Sequence, residues 1–162
     1  MTNSDPIIVA GWREWVSLPE LGVPWIKAKL DTGARSSAIH AFALSTHERD
    51  GSTWVTFSIH PWQRSDADPV EATLPVLDRR SVRSSSGHQE ERLVVPMQVR
   101  LVDRTIVTEM TLSRRDEMGF RLLIGREGLR QGFLVDAGGS YRGPRPNRTV
   151  RARNRGTHGP TG

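Results

Sequence analysis

The chain has no cysteine among its 162 residues, which excludes disulfides, thiolate nucleophiles and cysteine-ligated metal sites together. Its fold must be held by an apolar core or by a partner chain. It also lacks a His-Glu-x-x-His motif, and His40, His47, His60 and His88 are scattered, so no zinc-ligand pattern is visible. Asp136-Ala137-Gly138-Gly139-Ser140 has neither the lysine nor the spacing of a phosphate-cradling loop. The expected set of cofactors and metals is therefore none. No apolar run approaches membrane-spanning length, and Met1 to Pro6 is polar and acidic where a secretory signal would be basic and then apolar. A cytoplasmic protein with no membrane partner is expected.

Acids are missing from one place in particular. Residues 143–162 carry Arg145, Arg148, Arg151, Arg153 and Arg155 and no Asp or Glu, which accounts for the whole formal charge of +5. The remaining body is formally neutral, unlike a folded nucleic-acid-binding module with its own basic face. The expected organisation is one domain over residues 1–142 and a basic, disordered tail over 143–162, in which RNA or ribosome contact would be confined to the tail.

What the body does contain is strand signal. Ile7 to Leu18, Trp25 to Leu30, Ser37 to Leu44, Thr53 to Ile59, Val70 to Leu77, Leu93 to Val102 and Thr105 to Leu112 alternate or are β-rich, with turn residues between them. Arg79 to Arg92 is nearly devoid of apolar residues yet flanked by strands, which reads as a long exposed hairpin with a Ser-Ser-Gly tip. Phe120 to Ile124 reads as a short buried strand, Glu127 to Arg130 as one helical turn and Gly132 to Asp136 as a last strand. Many short strands and almost no helix predict an all-β barrel or sandwich. The tryptophans at 12, 15, 25, 54 and 62 fall at strand-like positions and read as core and interface anchors.

One stretch carries chemistry. Asp31-Thr32-Gly33-Ala34 puts a carboxylate and a hydroxyl into a glycine-permitted loop at the end of a strand. Alone, such a tripeptide is an ordinary strand-ending turn. A second stretch, Leu122-Leu123-Ile124-Gly125-Arg126, raises the question of whether the two form one site. A loose duplication would place the strand before Asp31 and the strand before Gly125 in related positions.

Taken in order, Leu30-Asp31-Thr32-Gly33-Ala34, the hairpin at 79 to 92, and Leu123-Ile124-Gly125-Arg126 with a following helical turn resemble the retropepsin-like aspartic proteases. More closely, Lys29 to Ala41, Val82 to Gly87, Leu112 to Phe120 and Leu122 to Leu129 resemble a bacterial family labelled ATP-dependent zinc proteases. That family is associated with RimK-type glutamate ligases, and its RimB member is described as retropepsin-like. The resemblance covers roughly residues 7 to 142 and implies a closed retropepsin-like β-barrel with a flap hairpin and one short helix.

It also implies a function. An aspartic protease needs two carboxylates sharing a proton, one as base toward water and one as acid toward the scissile carbonyl. With a single Asp-Thr-Gly, the resemblance implies a symmetric homodimer that joins Asp31 to its copy. Catalysis would rest on Asp31, Thr32 and Gly33. Ala34, Arg35, Ser84, Ser85, Ser86, Gly87, Ile124 and Arg126 would contact substrate, the hairpin tip closing as a flap. The expected substrate is a peptide or protein, including acidic, glutamate-rich or glutamate-modified ends. Arg35 and Ser36 stand where viral relatives commonly have acids, so Arg126 loses its usual partner; Glu127, Asp136 or an acidic substrate are the alternatives. The competing reading is a non-catalytic peptide-binding or regulatory module of the same fold, acting beside a RimK-type glutamate ligase.

Overall fold

The computed structural model describes residues 5–83, 87–114 and 119–156. Ile8–Leu18 (β1) and Val23–Leu30 (β2) form the expected hairpin, joined by a 3-10 turn over Pro19–Leu21 and by Gly22 at a φ of 68°. Ser37–His40 (β3), Phe42–Arg49 (β4), Ser52–Ile59 (β5), Val70–Pro75 (β6), Asp78–Arg83 (β7), Gln89–Leu101 (β8) and Arg104–Ser113 (β9) follow. Then come Leu122–Ile124 (β10), the helical turn Arg126–Leu129 (α1), Phe133–Ser140 (β11) and the helix Arg148–Asn154 (α2).

Eight strands pair in the order β11-β1-β2-β10-β3-β9-β8-β7, while β4-β5-β6 form a second sheet. An extra pairing of Val16 with Leu101 and Ser17 with Arg100 joins β1 to β8. The ring β1-β2-β10-β3-β9-β8 is thereby closed, leaving β11 and β7 as its side branches. Alternation supplies the inward residues: Ile26, Ile39, Met97, Leu101, Met110, Leu122 and Ile124 are fully buried. Val55, Phe57 and Ile59 of the second sheet belong to the same core, so the two sheets pack as one body. Trp15 and Trp62 are buried, while Trp12, Trp25 and Trp54 are only half-buried.

Three places differ from the pattern read in the sequence. Ser37 to Leu44 is two strands in two sheets, because Ala41 is fully buried with its N–H on the Ser113 carbonyl and Ala43 turns at a φ of 55°. β11 runs past Asp136 to Ser140, carried by its parallel pairing with β1. Within the stretch whose composition points to disorder, α2 is capped by the Asn147 side chain, which accepts from the Val150 N–H at 3.0 Å. The buried Asn154 donates to Gln63 Oε1 and accepts from the Gln63 N–H, both at 3.0 Å. A helical end is thus tied to the loop after β5.

Packing also continues beyond Arg142. The fully buried Glu14 carboxylate accepts N–H bonds from Gly11, Arg142 and Gly143 at 2.7, 2.8 and 2.9 Å. Three backbone donors compensate the burial of a charged group, and they fasten residues 142 and 143 to β1. Among the described residues, no helix is long and apolar enough to cross a membrane.

Candidate active site

The site is assembled where two parallel strands stop side by side. β10 lies beside β2 with Leu122, Leu123 and Ile124 opposite Ala28, Lys29 and Leu30. At the end of this pairing the Asp31 N–H donates to the Ile124 carbonyl at 2.9 Å. The two stretches singled out in the sequence therefore end at the same level of the barrel, in related positions.

Beyond Leu30 the chain leaves the sheet in a tight loop. The Asp31 side chain accepts the Gly33 N–H at 2.9 Å, and the Ala34 N–H donates to the Asp31 carbonyl at 3.2 Å. Asp31 is half-buried, while Thr32, Gly33 and Arg35 are exposed. The loop thus holds its carboxylate in a fixed orientation and leaves one face open.

Below it, the segment entering α1 forms the floor. The Arg126 and Glu127 N–H groups donate to the Ala34 and Arg35 carbonyls at 2.8 and 3.1 Å. The Gly125 N–H donates to the buried Ser37 hydroxyl at 3.0 Å. Gly125 lies so close to the loop that a Cβ there would be 2.4 Å from the Ser36 carbonyl oxygen. Close backbone approach is required at Gly125, whereas among the described residues a Cβ at Gly33 would meet only the Asp31 carboxylate, at 3.2 Å.

The arginines resolve differently from the pairings weighed in the sequence. Arg126 Nη1 donates to the Gly33 carbonyl at 3.2 Å, bracing the loop directly. Glu127 instead faces Arg35 at 4.0 Å and Arg130 at 3.7 Å, and Asp136 pairs with Arg142. Ile124 is fully buried, and its side chain belongs to the core. Asp31, Thr32, Gly33, Ala34, Arg35 and Arg126 do come together. Gly87, at a φ of 86°, sits at the far end of the β7–β8 hairpin; Ser84, Ser85 and Ser86 lie outside the described residues.

A cleft of about 770 Å³ opens beside the loop, bordered by Arg35, Ser36, Arg80, Glu109 and Glu127. A smaller cavity of about 310 Å³ adjoins it, sharing Ser36 and Arg80. Arg80, on the hairpin, donates to Glu109 at 2.8 Å and to Asp78 at 3.1 Å. These bonds, Glu109's first, hold its guanidinium above the ordinary arginine value. Sequence reading missed this residue because a charged hairpin strand gives no sign of which arginine turns toward the site. Among the described residues no three His, Asp or Glu side chains gather in a way that could hold a metal ion.

The chain has relatives among known proteins. A family model described as RimB-like, retropepsin-like aspartic endopeptidase RimB, matches residues 9–146. The chain belongs to this family. It is 43% identical over 128 residues to a "Probable alpha-L-glutamate ligase" of Desulfotalea psychrophila, covering 79% of this chain and 28% of the relative. A relative with the same name from Shewanella pealeana is 41% identical over 138 residues, covering 85% of this chain and 30% of its own length. The chain thus spans under a third of the length of these curated relatives. A Legionella pneumophila crystal structure of unknown function shares the fold, with a TM-score of 0.71 at 21% identity, covering 83% of this chain and 96% of the other.

Proposed function

We propose that this RimB-like chain is one half of a homodimeric aspartic endopeptidase. The observation that carries this reading is the Asp31 loop: a partly exposed carboxylate oriented by the Gly33 N–H and fixed to Ile124, above a floor closed by Gly125 and Arg126. Asp31 of each copy would share one proton across a two-fold axis. The ionised carboxylate takes a proton from water as the water attacks the scissile carbonyl. The protonated one donates to the carbonyl oxygen, and collapse of the tetrahedral species expels the amine with a proton. Thr32 would bond across the axis and keep the two loops in register.

The relatives' name supports a substrate that carries glutamate, such as a glutamate-rich or glutamate-modified protein end, met in the cytoplasm. The arginines between 145 and 155 suit a polyanion such as RNA as a further contact. The same ligase name fits, though only weakly, the second reading, a peptide-binding module that regulates a neighbouring ligase without cleaving anything.

Asp31→Asn separates the two. The substitution preserves shape and hydrogen-bonding capacity, so fold and dimer should persist while peptide hydrolysis falls to background. Undiminished cleavage by the variant excludes the mechanism, and a strict monomer in sedimentation excludes the shared-proton dyad.

A further inference from the structure

The pleat of the barrel carries a row of side chains out of the core toward the hairpin. Leu123 on β10 lies opposite Ala38 on β3, Ala38 opposite Thr111 on β9, and Thr111 opposite Val94 on β8. Arg92 stands two residues before Val94 and so shares its face. Directly across from Arg92, on β7, is Arg80.

Two like charges in a direct cross-strand pair repel one another, and a sheet tolerates them where something negative lies between or beside them. Arg80 has its counterions, Glu109 and Asp78. Arg92 is far less well served. Its side chain is only 15% exposed, its Nη2 lies 3.9 Å from Glu90, beyond hydrogen-bond range, and its buried Nε has no hydrogen-bond partner among the described residues. A buried guanidinium donor without an acceptor is costly, and the cost is offset whenever an anion arrives.

The surroundings define that anion. Arg80 and Arg92 line the cavity of about 310 Å³ together with Ala34, Ser36, Thr111 and Leu123. Ala34 and Ser36 belong to the loop that begins at Asp31, so a chain lying over Asp31 has this cavity beside it. Its volume suits one side chain. Leu123 offers an apolar wall for methylene groups, and Thr111 a hydroxyl. A guanidinium fork at the end of such a cavity matches a carboxylate in shape and charge.

We propose that Arg92, with Arg80 opposite it, forms a carboxylate-binding subsite that takes an acidic side chain of the peptide lying across the Asp31 loop. This rests on the peptidase reading above and deepens it by naming the residues that would select an acidic side chain. Glu90 holds Arg92 loosely when the cleft is empty and yields to the incoming carboxylate. Arg80 is less free to respond, because Glu109 and Asp78 already occupy its fork.

Calorimetry with two soluble octapeptides tests the subsite, one alternating glutamate with alanine and one alternating glutamine with alanine. The Asp31→Asn protein should bind the glutamate peptide about tenfold more tightly, the difference expected when a buried charged hydrogen bond is gained. Arg92→Gln in the same background should bring the two affinities together, and Arg92→Lys, with charge but no fork, should restore part of the gap. Equal binding of the two peptides before Arg92 is touched overturns the proposal, as does a preference that survives Arg92→Gln. Should Arg92→Gln fail to fold, as judged by circular dichroism, Arg92→Lys carries the test: an undiminished preference in that variant overturns the proposal, and a reduced one supports it. Cleavage of either peptide by the native chain is scored separately. A native chain that hydrolyses but never prefers glutamate defeats the subsite alone, and a preference without hydrolysis defeats the peptidase reading alone.

Discussion

Gly125 and Ser36 meet backbone to backbone: a Cβ on Gly125 would lie 2.4 Å from the Ser36 carbonyl oxygen and 2.9 Å from that of Ala34. Both neighbours are main-chain atoms of the loop that carries Asp31, so neither can swing aside as a side-chain end would.

Gly125→Ala should therefore push the Asp31 loop off its floor. The expected cost is about 1–3 kcal/mol, in the range of overpacked interiors, and any peptidase activity should fall by more than the loss of folded protein explains. Denaturant melts and specific activity on the folded fraction check this. A variant as stable and as active as the parent would mean that the contact constrains nothing.

Glu14 gives a second expectation. Its carboxylate receives three backbone N–H groups in a site of 0% exposure, two of them from residues 142 and 143. Glu14→Gln replaces one acceptor oxygen with an NH₂ group facing N–H donors, which should cost about 2–4 kcal/mol by leaving buried donors unmet. Urea unfolding measures it, and a midpoint shift corresponding to less than about 0.5 kcal/mol would show that the clamp is dispensable.

Asp136 sets a pH effect whose sign is fixed. The Gly138 N–H first, and the Arg142 guanidinium second, hold its pKa below the ordinary 3.8. A carboxylate depressed in the folded state adds stability above its unfolded pKa, and that stability disappears as pH falls through the folded value. Asp136→Asn should therefore melt slightly below the parent at neutral pH and draw level with it in strong acid. The group is at the surface, so the gap should be small and shrink in high salt. A gap that widens on acidification would reverse the assignment.

Much of the barrel is legible in the sequence because its strands alternate cleanly. Thr53 to Ile59 and Thr105 to Leu112 each place every second residue on the core side, and the structure keeps them as strands. The Asp31 loop is legible for a different reason: its residue types and their order are themselves the signal. Glu14 was hidden, since a glutamate in a strand pattern looks like a solvent-facing residue and two of its three donors are 128 and 129 positions away. The Arg80 and Arg92 pair was hidden because facing residues depend on register across a hairpin, which composition does not encode. In the tail, arginine content masked the one local sign of a helix, Asn147 as its cap.

The parallel pairing of β2 with β10 bears on how the protein is made. Asp31 leaves the ribosome long before Leu122 to Leu129 exist, and the loop has no floor until they arrive. Pairings so distant in sequence are slow to close and form late. A nascent or truncated chain therefore carries the Asp-Thr-Gly tripeptide as an ordinary flexible turn, and whatever chemistry it performs is withheld until synthesis has passed the strand beside it.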